Sequence, residues 1–112
     1  MAKHSLEYPQ LDELNLLHAH ICLALAEPKR IQILYALHEE PRYVSALAEL
    51  LRTPQPTVSR HLKVLRERGL VLTKRIGPAV VYRLADDRII TVLNLMRQLL
   101  RDTLVRQAKV LE

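Results

Sequence analysis

The sequence predicts a mostly α-helical domain of about five helices carrying one two-stranded β-hairpin. Three observations point to it. Apolar residues recur at helical spacing through the first two thirds of the chain, the period drops from 3.6 to 2 after Gly69, and helical spacing resumes after Asp87. With 112 residues, 49% hydrophobic and 26% charged, the chain is long enough for one core and too short to divide into several.

Residues 1–10 contain Pro9 and little periodicity, and read as a flexible arm; residues 11–109 form the domain. Leu14, His18, Ile21 and Leu25 mark a first helix from about Leu11 to Ala26. Pro28 opens a second helix, striped by Ile31, Ile33, Leu34 and Leu37, that runs to about His38. Residues 39–42 are a turn, and Val44, Leu47, Ala48, Leu50 and Leu51 give a short third helix. Thr53 is placed to cap a fourth helix with Pro54 in its first position, and Gly69 ends it. Leu70 to Arg75 and Ala79 to Leu84 are strands joined at Gly77-Pro78. Asp86 or Asp87 then caps a last helix reaching about Lys109. Its apolar sector is wider than one small domain can cover, so the first and last helices are expected to pair with a second copy in a homodimer.

Composition narrows the function. The chain has no apolar run of about 20 residues and no cleavable leader, so a cytoplasmic protein without a membrane partner is expected. Cys22 is the single cysteine, which excludes an intramolecular disulfide and an all-thiolate metal site from one chain. Without Trp or Phe, and with four Tyr, the core must be aliphatic and aromatic platforms for single-stranded bases are missing. A net charge of +5 permits a polyanionic partner. Enzyme signatures are lacking: there is no phosphate loop, no nucleophile elbow and no carboxylate pair in contrasting surroundings.

The fourth helix is the most informative segment. Val58, Leu62 and Leu65 make one buried stripe, while Gln55, Pro56, Ser59, Arg60 and Lys63 fall opposite. Short polar and cationic groups of this kind suit a major groove, where amides and guanidinium groups read base edges and Lys or Ser meets phosphate. The third and fourth helices, joined by Leu51 to Pro54, read as a helix-turn-helix, and the hairpin makes it winged.

Four stretches in register carry a resemblance over about residues 11–107: Leu25 to Leu34, Leu47 to Leu50, Gln55 to Leu65, and Tyr82-Arg83-Leu84. The chain resembles the ArsR/SmtB family of winged-helix bacterial repressors. The resemblance implies dimerisation through the first and last helices, double-stranded DNA as partner, and transcriptional repression. It places Gln55, Pro56, Ser59 and Arg60 in the major groove, Thr57 and Lys63 at phosphate, and Lys74, Arg75 and Arg83 along a wing on the backbone or in the minor groove. His61 lies between the two faces and is expected to pack, and Arg30 to pair with an acid inside the domain.

The metal positions that many members use depart from the pattern. The Cys-x-Cys at the start of the third helix reads Tyr43-Val44-Ser45, and the last-helix Asp and His set reads Asp86, Arg88, Leu99 and Asp102. No cofactor is therefore expected. The remaining candidates are His18 and Cys22, one helical turn apart, which could bind zinc or another transition metal, or form a redox-sensitive Cys22 pair across a dimer; His4 is a further ligand candidate. The reading preferred over these is a buried thiol and a packed histidine. A same-fold metal or redox sensor and a dimeric adaptor without DNA binding are the alternatives, and the inducing ligand is left open.

Overall fold

The computed structural model describes residues 8–111, so the arm is described only from Tyr8 onward, and His4 lies outside the described residues. The helices are α1 (Leu11–Leu17), α2 (Pro28–Glu39), α3 (Val44–Leu50), α4 (Gln55–Glu67) and α5 (Arg88–Leu111). The strands are β1 (Arg42–Tyr43), β2 (Val71–Ile76) and β3 (Ala79–Leu84). The expected hairpin of β2 and β3 is present. A third strand, unforeseen because two residues have no period, pairs Arg42 with Tyr82 and Tyr43 with Val81, giving the antiparallel order β1-β3-β2.

The expected first helix is not continuous. After α1 the chain widens into a π turn, His18–Cys22, and then tightens into a 3₁₀ turn, Ala24–Ala26. The π turn closes with Leu23 N–H donating to the His18 carbonyl, 2.9 Å away. Across it the chain passes from α1, which buries nothing, to Ala24, which is 1% exposed and part of the core.

Two helices end in the same hydrogen-bonded motif. For α4, Gly69 N–H donates to Arg66 and Leu70 N–H to Leu65, with Gly69 at φ +76°, as a Schellman cap requires. For α3, Arg52 N–H donates to Glu49 and Thr53 N–H to Ala48, but Arg52 itself occupies the left-handed position at φ 50°. Thr53 is therefore committed to closing α3. Its hydroxyl donates to the Leu51 carbonyl at 2.9 Å, and the N-cap of α4 is Pro54, so the expected Thr53 cap does not form. Gln55 and Pro56 are the first two residues of α4, where a proline lacks only an N–H that would be unpaired in the helix.

The core joins Ile33, Leu34 and Leu37 of α2, Leu47 of α3, Val58, Leu62 and Leu65 of α4, Val71 and Leu84 at the base of the hairpin, and Ile89, Ile90 and Leu93 of α5. Among the described residues no polar or charged side chain is buried. Only the first two turns of α5 reach this core. Tyr35 steadies the next turn: its hydroxyl donates to Asn94 Oδ1 at 2.6 Å, and the Arg97 guanidinium lies 5.3 Å from its ring centroid. Beyond that, Leu95, Met96, Leu99, Leu100, Leu104 and Val105 stay exposed, as do Leu11, Leu14 and Leu17 of α1. No helix among the described residues is long and apolar enough to cross a membrane.

Asp86 starts α5 as expected: its Oδ1 accepts from the Arg88 N–H at 2.9 Å, and its carboxylate pairs with the Arg88 guanidinium at 2.7 Å. Hydrogen bonds from the Arg88 side chain, then from its backbone, hold the Asp86 carboxyl at about 2, below its ordinary 3.8. Its contribution is complete above 3.8 and lost as pH falls through about 2. Asp86→Asn keeps an acceptor oxygen and removes the charge. Its thermal midpoint should sit slightly below wild type at pH 5, with the gap closing by pH 2; a gap independent of pH would show that the pair does nothing for stability.

Candidate nucleic-acid interface

Helix α4 separates its two roles by face. Val58, Leu62 and Leu65 are fully buried, whereas Gln55, Pro56, Ser59, Arg60 and Lys63 are exposed, as the period implies. Thr57 is half-buried at the edge between these faces.

The hairpin brings its tip beside the start of α4. One surface groove is lined by Gln55, by Tyr43, Val44 and Ser45 where α3 begins, and by Pro78, Ala79, Val80 and Tyr82 of the hairpin. A second is lined by Ser59, Lys63, Arg66, Glu67 and Tyr82. Tyr82 of β3 thus faces α4 across both grooves. In the sequence Tyr82 marks only the end of the wing, with no role of its own. The signal was available, since the two-residue turn with Gly77 at φ +59° sets Ile76 opposite Ala79, and therefore Thr73 opposite Tyr82.

The three wing cations do not form one row. Lys74 pairs in register with Val81, Arg83 with Leu72, and Arg75 with Val80. Side chains alternate along a strand, so Lys74 and Arg83 share one face of the hairpin, while Arg75 projects from the other together with Thr73 and Tyr82, on the side of the grooves. All three are exposed.

His61 is half-buried on α4, with Nδ1 3.3 Å from Arg30 Nη1. Arg30 does not meet an acid there as expected. It donates to two backbone carbonyls, Ala24 at 2.7 Å and Leu23 at 3.1 Å, because the 3₁₀ turn leaves these oxygens aimed at α2.

The metal candidates His18 and Cys22 both face solvent in the protomer. Cys22 is exposed, which corrects the buried-thiol reading: the π turn carries it away from the core. His18 is exposed as well, and the neighbouring His20 ring nitrogen lies 3.1 Å from the Leu16 carbonyl. No group of three or more His, Cys, Asp or Glu that could hold a metal ion is found among the described residues. Tyr43 and Ser45 line the groove beside Gln55, and the Asp86 carboxylate is engaged by Arg88.

A short helix, a tight turn, a second helix with a polar cationic face and a hairpin beside it define a winged helix-turn-helix. Residues 27–73 match the family described as "Bacterial regulatory protein, arsR family". The chain is 48% identical over 66 residues to the HTH-type transcriptional repressor SmtB of Mycobacterium tuberculosis, a match covering 59% of this chain and 49% of that relative. It thus spans about half the length of that protein. Among solved structures, M. tuberculosis Rv0081 superposes with a TM-score of 0.74 at 33% identity, covering 85% of this chain and 96% of that one. The homodimeric winged helix-turn-helix domain of a possible ArsR-family regulator from Mycobacterium bovis gives 0.71 at 30% identity, covering 86% and 91%. The chain belongs to the ArsR family.

Proposed function

We propose that the chain is a sequence-specific DNA-binding transcriptional regulator that represses, as a homodimer, from an inverted-repeat operator, acting in the cytoplasm and catalysing no reaction. The observation that carries this reading is the exposed face of α4, where Gln55 shares a groove with the wing tip, Ser59 and Lys63 share one with Tyr82, and Arg60 is exposed, while the opposite face of the same helix is core. In a dimer two such helices enter successive major grooves about 34 Å apart. The homodimeric M. bovis relative and the uncovered apolar strips of α1 and α5 support the pairing.

Gln55 and Ser59 are assigned to base edges, with Pro56 and Arg60 beside them. Lys63, Thr57 and the wing cations Lys74, Arg75 and Arg83 are assigned to phosphate or the minor groove. No metal cofactor is assigned. Fluorescence anisotropy over a salt series, with the duplex upstream of the coding sequence against a scrambled duplex and with and without zinc, tests this. Affinity should fall steeply with salt, prefer the native duplex and ignore zinc. Lys63→Ala should weaken both duplexes alike, whereas Gln55→Ala should cost roughly 1–3 kcal/mol at one base pair of the native duplex. Equal losses on both duplexes for Gln55→Ala would remove it from base readout.

A further inference from the structure

Arg30 stands where three segments meet. Its Nε and Nη2 donate to the carbonyls of Ala24 and Leu23, at the end of the first helical stretch. Its Nη1 reaches the His61 ring on α4 at 3.3 Å. One side chain of α2 therefore ties the segment leading out of α1 to the helix that carries Gln55, Ser59 and Arg60.

The contact has a proton requirement. A guanidinium has only donors, so Nδ1 of His61 must present its lone pair, which leaves the ring neutral with its proton on Nε2. The surroundings favour that form. Burial first, and then Arg30, hold the ring below its ordinary 6.5; Glu27, just before α2, pulls upward, and Arg60 on α4 and Lys29 on α2 push downward.

We propose that Arg30 is a positioning residue for DNA recognition: through His61 it sets the angle of α4 against the end of the first helix, and a proton on Nδ1 releases that link. The inference rests on the DNA-binding reading above. Since α1 belongs to the strip assigned to the dimer, this angle governs the separation of the two reading helices. Specific binding needs that separation to match the half-sites; binding to random DNA needs only the charge. The sign follows from the downward shift: the link is intact above about 6.5 and is lost as pH falls below it, through the lowered value.

Anisotropy with the same upstream and scrambled duplexes, from pH 5.5 to 8, tests this on the full chain as wild type, His61→Asn and Arg30→Lys. Asn offers an acceptor that does not titrate; Lys keeps the charge but not the fork that spans two carbonyls and a ring. Wild type should lose about five- to tenfold of its preference for the upstream duplex as pH falls from 7.5 to 5.5, while the scrambled duplex binds as well or better. The preference of His61→Asn should be flat over this range whatever its absolute affinity, and Arg30→Lys should show a reduced preference throughout. Thermal melts at each pH establish that the variants are folded; if Arg30→Lys unfolds, the His61→Asn profile decides alone. Identical profiles for wild type and His61→Asn would overturn the link. Wild type without preference at any pH would overturn the DNA-binding reading beneath it.

Discussion

Replacing Leu95 and Leu99 together by Glu is expected to convert the protein to a monomer and to lower its affinity for the upstream duplex by about 10²–10⁴-fold, the range lost when a second linked contact can no longer form. Both side chains are 60% exposed in the protomer and lie one turn apart on α5, beyond the last residues of that helix that reach the core. In the proposed dimer that strip is covered by the second copy, so the added carboxylates would be desolvated there and would repel those of the partner. Equilibrium sedimentation reads the mass and anisotropy the affinity, while far-UV circular dichroism confirms that helix content is kept. A variant that still sediments at twice the protomer mass would take α5 out of the interface.

The second large effect lies inside the protomer. Leu62→Ala should destabilise the fold by about 2–5 kcal/mol, the range for an aliphatic side chain removed from a tight core. Leu62 is 0% exposed and sits on α4 between Val58 and Leu65, where α2, α3 and the base of the hairpin converge. The urea midpoint should fall with the slope unchanged, because the loss is of packing and not of compactness in the unfolded chain. Gln55→Ala, on the other face of the same helix, should stay within about 0.5 kcal/mol of wild type. Equal midpoints for the two variants would mean that α4 does not pack as described.

The elements legible from sequence were those with a local cause. The stripe of Val58, Leu62 and Leu65, the stop at Gly69 and the tight turn at Gly77-Pro78 each depend on residues within a few positions of one another. What escaped depends on distant partners. Strand β1 exists because Arg42 finds Tyr82, 40 positions onward in the chain but adjacent in the sheet. The π turn at His18 is compatible with the same apolar spacing as an α-helix, and the docking of Ala24 into the core accompanies it. Arg30 was expected to seek a carboxylate, but its partners are backbone oxygens whose positions follow from that turn. The wing is a different case. Lys74 and Arg75 are neighbours in a strand and had to point to opposite faces, so period two alone was enough to separate them.

The division of α4 into two faces bears on how such a protein changes over generations. Positions 55, 59, 60 and 63 are exposed and positions 58, 62 and 65 are buried, so, on the proposed assignment, substitutions that alter the preferred DNA should scarcely move the stability of the fold. A duplicated gene could then acquire a new target through a few surface substitutions, with no compensating change in the interior. A substitution on the inner face acts first on folding, before it can act on target choice.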